Sequence, residues 1–413
     1  MIVKRDWLAP VAGRRASGPM SRVMCGLGLI AGYALLLVLA GGFAGCKKTE
    51  TAGAGTEPGA GGASGAQPAA AGDKPLTVGF IYVGTRDDYG YNQAHADGAA
   101  EVRKIPGVKV IEVESVKENK DCQQAMESMI NLNGAKVIFP TSFGYFNPHV
   151  LQIGAKYPAV TFLHAGGLYK DGMPSNVGSY FAYIDELEYL CGIVAGKTTK
   201  TNKIGYIAAK PITPVLRDIN AFELGAKSVN PKVTCTAIFT GDWFLPTEEA
   251  NAVTNLADQG IDVVSGHVDS PKVMIETANK RGIYSCGYHY NGSKLSPEKY
   301  LTGAEWNWGP MYAKFVADYK AGTLKMPHSQ MGSLRDGAVK MSPYGPAVSE
   351  EAKKACEDVK AQMMAGKFKM FKGPLMDNKG KVVIPEGKEI EDEAGELWGM
   401  DYLVEGVIGS TGK

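Results

Sequence analysis

One four-part pattern occurs twice along this 413-residue chain at a nearly constant spacing. Lys203-Ile204-Gly205-Tyr206-Ile207 repeats the character of Thr77-Val78-Gly79-Phe80-Ile81 at an offset of 126 residues. Gly225-Ala226 follows Gly98-Ala99 by 127, and Gly260-Ile261-Asp262-Val263-Val264 follows Gly134-Ala135-Lys136-Val137-Ile138 by 126. Tyr284-Ser285-Cys286-Gly287 follows Val160-Thr161-Phe162-Leu163 by 124. Within the first copy, apolar runs of strand length (Leu76 to Tyr82, Val108 to Val113, Ala135 to Pro140) alternate with helix-like stretches at Ala94 to Lys104 and Cys122 to Asn131. Such alternation builds βαβ units on a parallel sheet. The chain is therefore expected to be α/β, with two Rossmann-like lobes in tandem. The competing reading is coincidence between α/β segments. The boundaries expected are 76–183 with 288–325 for the N-terminal lobe, and 184–287 with 326–413 for the C-terminal lobe.

Two such lobes joined by crossovers form a hinge with a cleft between them. In open α/β sheets, ligands bind outside the carboxyl ends of the strands. Those ends are rich in aromatic and polar residues: Gly84 to Gln93, Thr141 to Phe146, His164 to Gly167, Lys210 to Asn220, Gly241 to Phe244, Gly266 to Ser270, and His289 to Asn291. Flat rings favour a flat ligand, and amides and carboxylates pair with its edge. Tyr91, Phe143 and Trp243 are the expected stacking residues. Asn92, Asp269 and His289 are expected to bond the ligand edge. Gly144 and His164 are also expected to contact the ligand, and Trp306 to line the hinge side. Each has a plainer competing reading. A single aromatic is more often core, His164 and His289 can be satisfied structural histidines, Asp88 can be a helix N-cap, and Trp306-Asn307-Trp308 can fill a lobe interface.

The N-terminus carries Lys4, Arg5, Arg14, Arg15 and Arg22, then an apolar run from Val23 to Ala40, then Phe43-Ala44-Gly45-Cys46. This order is that of a secretory signal over residues 1–45. Ala-Gly-Cys resembles a bacterial lipobox, which makes Cys46 the expected lipidation site. The competing reading is a retained membrane-spanning helix. Residues 46–75 include a Gly/Ala-rich stretch without large apolar side chains and are expected to form a flexible tether.

A formal net charge of +1 argues against a nucleic-acid binder relying on bulk charge. The six His are scattered, the Cys show no CxxC, and no GxSxG, HExxH or P-loop is present. No enzyme, metal or cofactor is expected. Beyond Cys25 and Cys46, five cysteines remain (Cys122, Cys191, Cys235, Cys286, Cys356), open to one or two disulfides or to buried free thiols.

Several segments carry a family resemblance in combination. They include Gly90-Tyr91-Asn92-Gln93-Ala94-His95, Thr141-Ser142-Phe143-Gly144-Tyr145, Cys191-Gly192-Ile193-Val194-Ala195-Gly196, Asp258-Gln259-Gly260-Ile261-Asp262-Val263 and Trp306-Asn307-Trp308-Gly309-Pro310. The chain resembles the basic membrane protein (BMP/Med) family of substrate-binding lipoproteins of ABC transporters. The resemblance implies a type I periplasmic binding fold, a purine base or purine nucleoside as ligand, and permease and ATPase partners. It also implies a lipid anchor in the cell envelope, facing the periplasm or exterior. Tyr91-Asn92 matches a ligand-contacting Phe-Asn pair of nucleoside binders, with Tyr for Phe. Their Asp-rich late turn is His289-Tyr290-Asn291-Gly292 here, so adenine or guanine is expected ahead of a nucleoside. The alternatives are a sensor handing its signal to a membrane receptor, or a binder of sugar or lipid.

Overall fold

The computed structural model describes residues 74–391 and 395–412. The expected leader, Cys46 and the tether up to Asp73 lie outside the described residues. The first lobe holds strands β1 (Leu76–Ile81), β2 (Val108–Val113), β3 (Val137–Pro140), β4 (Thr161–Ala165) and β5 (Val177–Ala182), with helices α1 (Tyr91–Arg103), α2 (Lys120–Asn131) and α3 (Leu151–Lys156). The second holds α4 (Asp185–Thr198), β6 (Lys203–Ala208), α5 (Thr213–Val229), β7 (Thr234–Phe239), α6 (Pro246–Asp258), β8 (Val263–His267), α7 (Lys272–Lys280), β9 (Tyr284–His289) and β10 (Tyr300–Trp306). Then come α8 (Trp308–Ala321), β11 (Ser329–Gly332), β12 (Val339–Met341) and α9 (Glu350–Met364).

The sheets run β2-β1-β3-β4-β5-β11 and β7-β6-β8-β9-β10-β12, with Val407–Ile408 added beside β7. The repeat in the sequence is thus a repeat of topology. Its anchors are central strands such as β1 and β6, buried along nearly their whole length. Strands covered on both faces read as unbroken apolar runs.

The lobe boundaries differ from those expected. The chain does leave the first lobe after Tyr183, but residues 288–306 do not return to it. Strand β9 runs to His289, and β10 pairs parallel with it at Gly303 and Gly287, inside the second sheet. The chain recrosses at Asn307, where α8 packs along α1. Strand β11 then pairs with β5 in the first sheet, and β12 returns antiparallel to β10. The first lobe is therefore 76–183 with 308–332. The reason is the full burial of all seven residues of β10, which demands a place inside a sheet. The tail joins the second lobe: α9 packs on α4, and Val407 pairs with Cys235.

Helices α4 and α5 cross backbone to backbone. A Cβ at Gly192 would lie 2.1 Å from the Phe222 carbonyl oxygen, and one at Gly225 would lie 2.0 Å from that of Tyr189. Cys122, Cys191, Cys235, Cys286 and Cys356 are all buried free thiols.

On α5, Glu223 is fully buried, and neither carboxylate oxygen accepts a hydrogen bond. Lys227 stands 3.9 Å away. Burial, only partly offset by Lys227, pushes the Glu223 carboxyl up to about 8. The folded chain therefore holds this proton while the unfolded chain, with an ordinary pKa near 4.5, has released it. The stabilisation is complete below about pH 4.5 and is lost as pH rises toward 8. Glu249, pushed by burial to about 7, acts in the same sense. Melting of the wild type should drop by several degrees between pH 5 and pH 8. In Glu223→Gln that slope should be visibly shallower by calorimetry, and equal slopes would refute the assignment.

Candidate ligand-binding cleft

The loop leading into α1 meets the loop after β8. The Tyr91 amide donates to the Asp269 carbonyl at 2.8 Å, and Ser270 Oγ donates to the Asp88 carbonyl at 2.5 Å. The two lobes are thus in contact. Between them lies a narrow slot of about 30 Å³, walled by Tyr91, Phe143, Phe181, Trp243, His267 and His289. It adjoins an outer cavity of about 610 Å³ between Asp88, Asn92 and Glu118 of one lobe and Lys210, Trp243 and Phe244 of the other. Trp243 and Asp269 line both spaces. A cavity of several hundred Å³ is the usual scale of a small-molecule site.

Asp88 sets the entry to α1. Its carboxylate accepts from the amides of Gly90, Asn92 and Gln93 and from Asn92 Nδ2. It does the work of a cap, as its competing reading held. Asn92 also accepts from the Gly84 amide, so its side chain braces the loop while lining the outer cavity. The Tyr91 hydroxyl donates to the Thr141 carbonyl, and its ring stands edge-on to His95 and His289.

His289 ends β9 at φ +66°, a left-handed conformation that a bulky residue adopts only under constraint from its surroundings. Trp306 Nε1 donates to its Nδ1 at 2.7 Å. An indole only donates, so Nδ1 is the acceptor and the proton sits on Nε2. That Nε2 is buried beside the Val268 backbone and makes no well-formed hydrogen bond among the described residues. Burial first, then His267 and His95, holds the His289 imidazole well below its usual range, hence neutral. Beside it on the same lobe, His267 Nδ1 lies 2.6 Å from Asp218 Oδ2, which also accepts from the Tyr288 hydroxyl. The Asp269 carboxyl receives no hydrogen bond from any described residue. Burial, together with Asp88 and Glu118 nearby, pushes it well above the usual carboxylate range.

Of the residues expected from the sequence, Tyr91, Phe143, Trp243, Asp269 and His289 converge on the slot, and Asn92 lies beside it. Three do not line either space. His164 is fully buried behind the Ser142 turn, with Nε2 2.9 Å from the Ser142 carbonyl oxygen, and burial pushes its imidazole down to about 4. The Gly144 amide donates to Glu118, and Trp306 stands behind His289. Phe181, at the end of strand β5, lies in no segment singled out from the sequence, whereas His267 lies in the Gly266 to Ser270 segment, from which only Asp269 is chosen. The sequence reading also singles out Lys210 to Asn220 without choosing Ile212 and Pro214, which line the slot.

The pattern of the ABC transporter substrate-binding protein PnrA-like family (Bmp) matches residues 76–370. A purine-binding protein of Brucella abortus (strain 2308) is 36% identical over 344 residues, covering 82% of this chain and 95% of that protein. A Haloferax volcanii protein named for glucose binding in an ABC transporter is 29% identical over 302 residues, 73% of this chain and 75% of its own. Among solved structures, an ABC transporter solute-binding protein from Aeropyrum pernix K1 superposes with a TM-score of 0.63 at 18% identity. It covers 71% of this chain and 92% of its own, and shows the shared fold. A two-lobed α/β scaffold with a ligand-sized cleft, matched by this family over most of its folded length, places the chain in the PnrA-like (Bmp) family of extracytoplasmic ABC transporter substrate-binding proteins, which bind rather than catalyse.

Proposed function

We propose that the cleft binds a purine, with a free base such as adenine or guanine ahead of a nucleoside, for delivery to a membrane permease and its ATPase. The observation that carries this reading is Asp269: a buried, unbonded carboxyl among aromatic walls, where an N–H edge of a planar heterocycle would satisfy it. His289 Nε2 offers a matching donor that makes no well-formed hydrogen bond among the described residues. The purine-binding relative from Brucella abortus supports the same class. Cys46 would tether the protein to the membrane through a lipid.

A melting panel on protein refolded to strip carried-over ligand tests this, with adenine, guanine, hypoxanthine, adenosine, guanosine, ribose and glucose. At 100 times its dissociation constant, the ligand should add about 2.7 kcal/mol of stability. Bases should raise the melting temperature and sugars should not. Asp269→Ala should weaken base binding by about 10- to 100-fold, the worth of a hydrogen bond to a charged or strongly polar group. The glucose-named relative motivates the second reading. A shift with glucose alone would replace the purine by a sugar.

A further inference from the structure

Glu118 belongs to no wall of the inner slot, yet it fixes one. It lies in the loop between β2 and α2, half-buried, and lines the outer cavity. Its Oε1 accepts from Ser142 Oγ at 2.6 Å and from the Gly144 amide at 2.8 Å. Those two donors flank Phe143, which walls the slot. Ser142 is pinned on its other side by His164 at its carbonyl. The approach is so close that a Cβ at Gly144 would sit 2.4 Å from Glu118 Cδ. This gives the glycine of the Ser142-Phe143-Gly144 turn its reason: only a residue without a side chain lets the carboxylate reach the backbone.

The second carboxylate oxygen of Glu118 is unbonded, and no described cation lies within ion-pair distance of the group. Its surroundings do not supply the missing positive charge. Apart from the Asp269 carboxyl, which burial holds toward its neutral form, the charged groups lining the outer cavity are Asp88, Glu118 and Asp242 against Lys117 and Lys210, and Lys210 is taken by Asp242 at 2.8 Å. Negative charge therefore predominates where any substituent on a bound ring would emerge. Like charge in a partly desolvated cleft opposes entry strongly.

We propose that Glu118 is a positioning and specificity residue: it holds the Phe143 wall in place, and its charge bars ligands that carry an anionic group. The selectivity half rests on the purine reading, and the positioning half does not. Calorimetric titration of the wild type, E118A and E118Q with adenine, adenosine and adenosine 5′-monophosphate, with deuterium uptake of the segment around Gly144, separates the two. E118A should lose tenfold or more in adenine affinity and expose the Gly144 amide to exchange. E118Q keeps an acceptor oxygen and should recover most of both. It should also cut the preference for adenosine over its monophosphate by tenfold or more, because a neutral amide now faces the phosphate.

Unchanged exchange at Gly144 in E118A would overturn the positioning role. Undiminished rejection of the monophosphate by E118Q would overturn the charge role. A wild type that binds no purine would instead remove the proposed ligand and, with it, the selectivity half. Exchange would still decide the positioning half.

Discussion

Replacing Arg217 by Ala should cost this fold about 3–5 kcal/mol, the range seen when one partner of a buried ion pair is removed. Arg217, on α5, donates from Nε and Nη2 to Asp185 Oδ2 at 2.8 and 2.6 Å. The two side chains are only 4% and 5% exposed, so truncation strands a carboxylate that solvent cannot reach. Burial already pushes the Asp185 carboxyl upward against the pull of Arg217, and Asp218 nearby pushes the same way. The guanidinium also lies over the rings of Tyr183 and Trp398, so its loss opens space between the lobe junction and the C-terminal tail. With the unfolding entropy of about 340 folded residues, the melting temperature should fall by roughly 4–7 °C. Arg217→Met with Asp185→Asn should regain a large part of that loss, because the stranded charge is the main penalty. A fall below about 1 °C in the single variant, measured by calorimetry at neutral pH, would mean that the pair contributes nothing. The same residues border the slot through Phe181 and Pro214. Ligand affinity should therefore weaken along with stability.

The architecture was legible where burial is complete on both faces of a strand. Strands β1, β3, β6 and β8 are of this kind, and their apolar runs carried the 126-residue offset. The crossover was not legible, because β10 reads YLTGAEW, a mixed string. Its polar members are satisfied only across the fold: Thr302 donates to the Ser342 carbonyl, and Glu305 accepts from Ser342 Oγ. No local pattern announces partners some forty residues away.

In the cleft, the rule that ligands lie beyond strand ends found the right loops but not which side chains turn inward. Alternation along an extended segment decides that, and a one-residue change of phase sends a side chain to the other face. His267 and Asp269 stand two apart and share the slot, whereas His164, also at a strand end, spends both ring nitrogens on Ser142 and Ser179. Glu118 escaped because it acts on the ligand wall through a backbone amide, and such a contact leaves no mark in composition or spacing.

Gly90→Ala should lower ligand affinity by 100-fold or more while leaving the ligand-free protein as stable as before. A Cβ at residue 90 would lie 1.9 Å from the Asp269 carbonyl oxygen and 2.8 Å from Pro271 Cδ. The first of these is backbone of the opposite lobe, held in place by the Tyr91 amide, so no side-chain rotation relieves it. Gly90 immediately precedes α1, whose first turn is fixed by the Asp88 carboxylate, so the near side cannot yield either. The clash exists only when the lobes meet, since neither core contains the contact. The variant therefore taxes closure alone, and an apparent dissociation constant rises in proportion as the closed, binding-competent population falls. A penalty of about 2.7 kcal/mol on closure already gives 100-fold. Two measurements separate this from damage to the site. Small-angle scattering should show the wild type contracting on ligand addition and the variant failing to contract. Melting of the two ligand-free proteins should coincide. Binding within threefold of the wild type, with the same contraction, would show that the lobes engage a ligand in some arrangement other than the one in which Gly90 touches Asp269. The placing of Tyr91 and Phe143 opposite Asp269 and His289 in one closed cleft would fall with it.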